Sequence, residues 1–204
     1  MSYSSFTAEK LKDQFGVEQI WEKDIFASVE TLLPSATLRE AIDYNVNFAI
    51  MQGSEKARSE FIIAPILLEV KKKSNGKVSL FSGVKFDVDK SKKLDGISDF
   101  LISRSSYQVV LEAPVVVAVE AKRQDFEKGI AQCAAEMIAA RIFNERKGSE
   151  LKVIYGCVTT GDVWRFLLLK DNKIFVDSIA FDVNEDLERI LGILYAMSLG
   201  LIPE

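Results

Sequence analysis

The sequence of 204 residues predicts an α/β (α+β) fold, a mixed central β-sheet flanked by helices. Three observations support this prediction. Helical segments come first, three strand-like segments follow, and a long helix separates them from two or three more strands and a final helix. The run 115–119 is continuously apolar, as in a buried strand. The long helix after it favours a parallel strand pair, because parallel strands need a crossover connection.

Helical periodicity and capping residues mark the first third of the chain. Three helices are predicted there, over 7–15, 37–51 and 54–73. Thr7 and Ser54 are the expected caps of the first and third helices. Thr37 and Glu40 fit a capping box at the start of the second. Pro65 should kink or divide the third helix, because proline removes a helical hydrogen bond.

Alternating and continuous apolar runs then predict the sheet. The expected strands are 78–88, 97–103, 115–122, 151–158, 163–169 and 173–183. A long helix is predicted over 125–146, where apolar residues recur at helical spacing. A last helix is expected over 184–199, capped by Asn184. Because no repeat, linker or low-complexity tract interrupts this pattern, residues 1–204 are expected to form a single domain.

Composition bounds the class of protein. The hydrophobic fraction of 48% and charged fraction of 27% are those of an ordinary globular protein. No apolar run approaches the roughly 20 residues of a membrane span, and the N-terminus does not resemble a signal peptide. Cys133 and Cys157 are isolated in apolar surroundings, which is typical of reduced core cysteines. These features predict a cytoplasmic protein without membrane association.

The absence of histidine restricts the chemistry. It excludes Ser-His and Cys-His catalytic pairs and histidine-ligated metals. The sequence also lacks the glycine-rich motifs that bind nucleotide phosphates. Any catalysis must therefore depend on carboxylates, lysines and a hard metal ion.

The end of the apolar strand 115–122 carries the candidate chemistry. Glu120 and Lys122 are two residues apart, so they project from the same face of the strand. Asp99 lies in the neighbouring apolar run 96–102. Two carboxylates and a lysine at the end of a buried sheet predict a divalent-metal site. The alternative is a structural ion pair in which Lys122 neutralises the two acids.

Spacing alone does not single out this pair. An acid two residues before a lysine occurs five times, at Glu69/Lys71, Glu120/Lys122, Glu145/Lys147, Glu150/Lys152 and Asp171/Lys173. The Glu120 pair alone combines a continuous apolar strand, an upstream strand with an aspartate and a following helix.

Asp99, in the segment 96–100, and Glu120 with Lys122, in the segment 119–122, resemble the motif of the PD-(D/E)XK nuclease superfamily. That superfamily places its aspartate and its ExK residues on neighbouring strands, after an initial helix and before a long one. The motif resemblance covers about residues 55–146, and Ser98 stands where the motif has proline. It implies a restriction-endonuclease-like sheet.

The resemblance also implies a function, metal-dependent hydrolysis of phosphodiester bonds in nucleic acid, with DNA as the favoured substrate. Asp99, Glu120 and the Ala121 backbone carbonyl would hold Mg²⁺ or Mn²⁺. Lys122 would orient the attacking water and stabilise charge on the phosphate. The alternative is a module of the same fold that binds nucleic acid or protein with little or no activity.

Two further catalytic candidates come from the resemblance. Glu60 resembles the acid often found on the initial helix, and Gln132 resembles a glutamine common on the helix after the ExK residues. Glu60 can equally be an ordinary exposed helix residue. Gln132 lies opposite the apolar stripe of its helix. It can therefore contact the sheet only if that helix is covered on both sides. Glu136, one turn later, can share its role.

A basic segment suggests a nucleic-acid surface. Eight lysines and two acids lie between positions 71 and 93. Lys85, Lys90, Lys92 and Lys93 are the predicted contacts to a phosphate backbone. The alternative is a solvated helix end followed by lysine-rich turns.

Two other features carry open alternatives. Trp164 and Arg165 can stack on bases or form an ordinary pair in a hairpin, and the hairpin is the favoured interpretation. The apolar C-terminal helix can be core or a dimer face. Cutting two DNA strands would favour a homodimer.

Overall fold

The computed structural model of the protein describes residues 3–106, 109–122 and 125–202. Within them the strands form one eight-stranded sheet in the order β1-β7-β6-β5-β4-β3-β2, with β8 paired beside β6. The strands are β1 (Glu18–Glu22), β2 (Ser79–Lys85), β3 (Ile97–Ser103), β4 (Val115–Ala121), β5 (Val153–Thr159), β6 (Val163–Lys170), β7 (Lys173–Asp177) and β8 (Phe181–Asp182).

The sheet is mixed, which confirms the predicted fold class. Strands β4 and β5 run parallel, as the long crossover helix predicts, and β1 and β7 are also parallel. The other pairs are antiparallel. The described helices are α1 (Ala8–Phe15), α2 (Ala36–Gln52), α3 (Glu55–Arg58), α4 (Ala64–Lys73), α5 (Phe126–Arg146) and α6 (Val183–Leu199).

Helices cover both faces of the sheet. On one face, here the α6 face, buried residues of α2, α4 and α6 pack together. On the other, the α5 face, α5 packs with α1 and Tyr3. Most apolar residues of α6, among them Leu191, Ile193 and Leu194, are fully buried, so this helix belongs to the core. No described helix has the length and apolar character needed to cross a membrane.

The predicted caps are confirmed in two helices and wrong in two. Thr7 and Ser54 accept backbone hydrogen bonds from Lys10 and Ala57, at 3.3 and 3.0 Å. Ser35, rather than Thr37, caps α2, because the chain is extended at Ser35 and turns helical directly after it.

The cap of α6 is likewise two residues earlier than predicted. The carboxylate of Asp182 accepts the Asn184 N–H at 2.8 Å, so Asn184 lies inside the helix rather than at its cap. An aspartate at a helix N-terminus is also favoured by the helix dipole.

The predicted helix 54–73 is divided directly before Pro65, as expected, although the backbone stays helical across the division. A π-helical segment, Ser59–Ile63, joins α3 to α4, and Pro65 is in the first turn of α4. Proline has no N–H for the carbonyl of Phe61 four residues earlier. The side chain of Asn45 donates to that carbonyl instead, at 3.1 Å.

Strand β1 was not predicted from the sequence. Its five residues, 18–22, contain two glutamates and a glutamine, and it lies at an edge of the sheet. It pairs with β7, about 155 positions later in the chain. Such a short polar strand carries little periodicity, so long-range pairing determines it.

One buried side chain fixes the long crossover helix to the sheet. Asn144, in the last turns of α5, accepts the Val115 N–H and donates to the Val115 carbonyl, both at 2.8 Å. The amide thereby satisfies both backbone groups of the first residue of β4. This pair of hydrogen bonds ties the last turns of α5 to the start of β4.

Candidate metal centre

Asp99 and Glu120 lie next to each other on β3 and β4. Phe100 pairs with Val119, so the antiparallel register places Asp99 opposite Glu120. Asp99 Oδ2 accepts the Ala121 N–H at 2.9 Å, where the carboxylate takes the place of a strand carbonyl. Glu120 is 1% exposed and points under α5. The structure therefore brings the two predicted metal ligands together.

Lys122 closes one side of this pair. Its Nζ lies 2.5 Å from Glu120 Oε1 and donates to Gln132 Oε1 at 3.0 Å. Burial alone would lower the pKa of Lys122, but the charge and hydrogen bond of Glu120, with the charge of Asp99, raise it above its usual value. The lysine is therefore held as a cation beside the carboxylates.

Glu120 keeps one oxygen without a partner. Its Oε2 is buried and meets no hydrogen-bond donor among the described residues. Burial, and then the charge of Asp99, raise the pKa of Glu120 to about 7, although Lys122 opposes the shift. Burial likewise raises the pKa of Asp99, against the hydrogen bond from Ala121.

Glu136 is a third carboxyl group in contact with this cluster. It is 0% exposed, and its carboxyl group lies against that of Glu120 and the Gln132 amide without a hydrogen bond of regular geometry in the described part of the chain. Burial raises the pKa of Glu136 well above its usual range, and the charges of Glu120 and Asp99 raise it further. Three unpartnered oxygens on Glu120 and Glu136 need either a proton or a cation, because buried unpaired charge is costly.

Helix α5 supplies both Gln132 and Glu136. All ten residues from 131 to 140 are buried, so the helix is covered on both sides and Gln132 meets the sheet despite lying opposite the apolar stripe. A Cβ on Gly129 would lie 2.7 Å from Val158 Cγ1 and 2.9 Å from Lys122 Cγ. The missing side chain lets the first turns of α5 approach Lys122 closely.

Glu60 is placed differently from the other candidates. It lies on the π-helical segment, half-exposed, with its carboxylate 2.5 Å from Lys56 Nζ. The charge that acts on Asp99 and Lys122 from this part of the chain belongs to Glu55, in the first turn of α3. The catalytic role of Glu60 stays a prediction.

The predicted basic residues differ in their distance from the cluster, because Lys85 ends β2 opposite Ile97, two residues from Asp99, whereas the other three lie on the loop that follows β2. Lys85, Lys90, Lys92 and Lys93 are exposed, but Lys85 and Lys90 contact Asp87 at 3.1 and 3.4 Å. The loop packs on the last turns of α5, where Arg146 pairs with Asp89 at 3.3 Å. Arg146 is ten residues beyond Glu136, which is about 15 Å along a helix. The nucleic-acid contacts of these lysines stay a prediction.

The two tryptophans differ in exposure. Trp164 is fully buried, and its Nε1 donates to the Gly161 carbonyl at 2.8 Å, so it is a core residue of the hairpin. Trp21, in β1, is 50% exposed. The guanidinium carbon of Arg165 lies 5.1 Å from the centroid of the Trp21 ring. The partner of Arg165 is therefore Trp21, a residue that sequence reasoning did not single out.

The donor set fits a hard divalent cation with few protein ligands. No group of three or more acidic, cysteine or histidine side chains is spaced to hold a metal ion within 3–106, 109–122 and 125–202. Asp99 and Glu120 offer two carboxylates, and Mg²⁺ usually binds through one or two carboxylates while keeping several waters.

No protein-family model matches the chain, and no curated protein sequence matches it significantly.

Proposed function

We propose that the protein hydrolyses phosphodiester bonds in nucleic acid, with DNA as the favoured substrate, in a reaction that depends on Mg²⁺ or Mn²⁺. One observation carries this proposal. A buried oxygen of Glu120 without a donor lies beside Asp99, next to a lysine held as a cation. Asp99, Glu120 and Lys122 are also the residues that resemble the PD-(D/E)XK motif.

Asp99 and Glu120 would hold the cation, and the Ala121 carbonyl stays a predicted third ligand. The Ala121 N–H already orients Asp99, because it donates to Oδ2 at 2.9 Å. When bound, a divalent cation polarises a phosphate oxygen and acidifies a bound water.

Lys122 would orient the water and stabilise negative charge on the phosphate. Gln132 fixes the ammonium through the 3.0 Å hydrogen bond and so limits the positions it can take. For this role Lys122 must share Glu120 Oε1 with the cation or turn from it towards substrate. The side chain is only partly buried, which leaves room for that movement.

A second candidate function rests on the same ion pair. The 2.5 Å contact between Lys122 and Glu120 neutralises one carboxylate without any metal. If this contact is permanent, the protein is a nuclease-like module that binds nucleic acid or protein with little or no activity. A closed ion pair should not bind Mn²⁺, whereas two convergent carboxylates should.

The test combines metal binding with cleavage. Calorimetric titration with Mn²⁺ is followed by incubation of single- and double-stranded DNA and RNA with Mg²⁺ or Mn²⁺. We expect wild-type protein to bind Mn²⁺ and cut at least one substrate, and a chelator to stop cleavage. Lys122→Ala should still bind Mn²⁺, because Glu120 loses its competing cation, but should lose cleavage at least about 100-fold.

Lys152→Ala is the matched control. Lys152 follows Glu150 with the same spacing but is exposed just before β5, at the opposite end of the sheet from Glu120. It should cleave like wild type. Cleavage that survives in Lys122→Ala would indicate a contaminating nuclease. If the protein shows neither metal binding nor cleavage, the nuclease hypothesis is excluded and the inactive nuclease-like module is favoured.

A further inference from the structure

Trp21 is an exposed aromatic ring on the same face of the sheet as Glu120. Val176, its partner on β7, belongs to the core of the α5 face. Half of the tryptophan remains in contact with water. Tryptophan has a large apolar surface, so a planar ligand that covers the exposed half would gain the free energy of burying it.

The ring is held in place by Arg165. The guanidinium lies 5.1 Å from the ring centroid, and its Nη1 donates to the Asp177 carbonyl at 2.6 Å. Burial lowers the pKa of Arg165, against the charge of Asp177, but a guanidinium pKa lies so far above neutrality that the charge is kept. The contact favours one orientation of the Trp21 ring.

A groove of about 470 Å³ adjoins Trp21, between β1, the start of α1 and the first turns of α5. Such a volume is within the range of small-molecule sites. Phe6 and Ala131 supply apolar surface, while Gln19 and Lys128 supply an amide and an ammonium group. The groove therefore offers a planar apolar wall with hydrogen-bonding groups nearby.

The charges in the groove suit a base better than a phosphate. Asp125 and Glu127 also line it, and both would repel a phosphate group. Carboxylates accept hydrogen bonds from the amino groups of bases. The amide and ammonium groups donate hydrogen bonds to base carbonyls and ring nitrogens. A ring face with mixed polar edges is the chemistry that recognises a nucleobase.

The groove lies within reach of the candidate metal centre. Glu120 pairs with Val158, and Val158 pairs with Arg165, so these three residues form one row across the sheet. Strands are about 4.8 Å apart, which places β1 roughly 19 Å from β4. The first turns of α5 separate the two sites. A nucleic-acid strand bound at Glu120 can reach Trp21 within a few nucleotides.

We propose that Trp21 and this groove bind an unpaired base of the substrate strand, so that the substrate is single-stranded nucleic acid or a duplex with unpaired nucleotides beside the cleaved bond. This inference rests on the proposed function. Bases inside a duplex are stacked on their neighbours and cannot reach a tryptophan face without being extruded. Aromatic platforms are the usual means of holding unpaired bases.

Tryptophan fluorescence tests the proposal directly. The chain has two tryptophans, and Trp164 is buried with its Nε1 hydrogen-bonded, so a ligand that stacks on an indole reports on Trp21. Metal-free protein in chelator is titrated with a single-stranded oligothymidylate and, separately, with a blunt duplex of equal length. We expect the single strand to quench the emission and to bind more tightly than the duplex.

Variants separate stacking from other effects. Trp21→Ala should weaken binding of the single strand about 10-fold, measured by fluorescence anisotropy of a labelled oligonucleotide, and Trp21→Phe should restore most of it. Tyr44→Ala, at a 79% exposed aromatic residue of α2, is the matched control and should bind like wild type. Circular dichroism and thermal melting check that each variant is folded.

The outcomes distinguish this inference from the proposed function. Equal binding by Trp21→Ala and wild type would overturn the inference, as would equal quenching by duplex and single strand. Cleavage of intact duplex by Trp21→Ala at the wild-type rate would also overturn it while leaving the nuclease proposal intact. If cleavage is absent but Trp21 still binds the single strand, the inference stands as base recognition by a nuclease-like module.

Discussion

Two buried glutamates in this protein have opposite surroundings. Glu69, in α4, is 6% exposed and accepts hydrogen bonds from the Ser35 N–H and hydroxyl group, at 2.9 and 3.0 Å. Lys73 lies 3.5 Å from it. Glu120 is 1% exposed and has one ion pair and one oxygen without a donor. Both belong to acid-x-lysine sequences, yet only Glu69 has its oxygens satisfied.

The difference appears in the two pKa values. Burial alone would raise the pKa of Glu69, but the hydrogen bonds from Ser35 and the charge of Lys73 lower it overall. The pKa of Glu120 rises to about 7, because burial and Asp99 outweigh Lys122. Hydrogen bonds make Glu69 a structural carboxylate that joins α2 to α4. The unsatisfied oxygen of Glu120 leaves it available for a ligand.

The largest expected effect is on metal binding. Glu120→Gln should weaken Mn²⁺ binding at least about 100-fold, because it removes one of two carboxylate ligands. Glu69→Gln should leave the Mn²⁺ affinity unchanged, since that carboxylate is fully engaged with Ser35 and Lys73. Isothermal titration calorimetry at pH 8 compares them. Equal affinities for Glu120→Gln and wild type would remove the functional distinction between the two glutamates.

The second largest expected effect is on the pH dependence of the free energy of unfolding. Glu120 and Glu136 have raised pKa values when folded, so the folded protein binds more protons than the unfolded chain above pH 4.5. The free energy of unfolding should therefore fall as pH rises from 4.5 through about 7. For Glu120 alone the change is on the order of 3 kcal/mol.

Urea unfolding in chelator at pH 5 and pH 8 measures this slope, and Glu120→Gln should flatten it. Glu69 contributes in the opposite direction. Because its pKa is lowered, its stabilisation is complete above pH 4.5 and is lost as pH falls through its folded-state value. A wild-type protein that is more stable at pH 8 than at pH 5 would contradict the assignment of raised pKa values.

For the free energy of unfolding at neutral pH, the larger effect is expected at Glu69 and the smaller one at Glu120, the reverse of their order for metal binding. Glu69→Gln should destabilise the protein by about 2 kcal/mol, because it weakens two charge-assisted hydrogen bonds to Ser35. Glu120→Gln should cost less or stabilise, since it removes a buried charge that is only partly paired. Chemical denaturation at pH 7.5 gives both values. A larger loss for Glu120→Gln would show that its ion pair is structural.

The smallest expected effect concerns Gly129, which keeps α5 close to Lys122. The added methyl of Gly129→Ala would lie 2.7 Å from Val158 Cγ1, so the helix must shift. We expect a net destabilisation of about 1 kcal/mol, because overpacking outweighs the gain in helix propensity. Cleavage should fall more than Mn²⁺ affinity, since Lys122 moves and Asp99 does not. Thermal melting and single-turnover cleavage test this.

Local patterns were sufficient to predict the core of the site. The apolar strand 115–122 ends in charges, and the hairpin before it carries Asp99, so strand geometry alone brings Asp99, Glu120 and Lys122 together. Glu136 could be named only as a neighbour of Gln132. Its complete burial depends on α5 being covered on both sides, which helical periodicity does not show.

Features that depend on long-range contacts were not predictable. The π-helical segment 59–63 changes the phase of the helix that carries Glu55 and Glu60, so counting at 3.6 residues per turn does not identify which acid faces the site. The basic loop turns onto α5 because Phe86 packs against Phe143, with ring centroids 5.6 Å apart. Strand β1, and with it Trp21, depends on pairing with β7.

The hydrogen bonds of Asn144 to Val115 have a consequence for the carboxylate cluster, which meets the middle of α5. The helix and β4 are two rigid elements joined at that point, and Glu136 meets Glu120 about 12 Å further along the helix axis. The Asn144–Val115 contact is thus a fixed reference point for the position of α5 along β4. A displacement of α5 by one residue, 1.5 Å, would be enough to separate Gln132 from Lys122. The placement of Gln132 and Glu136 over the sheet therefore depends in part on an amide at the other end of β4.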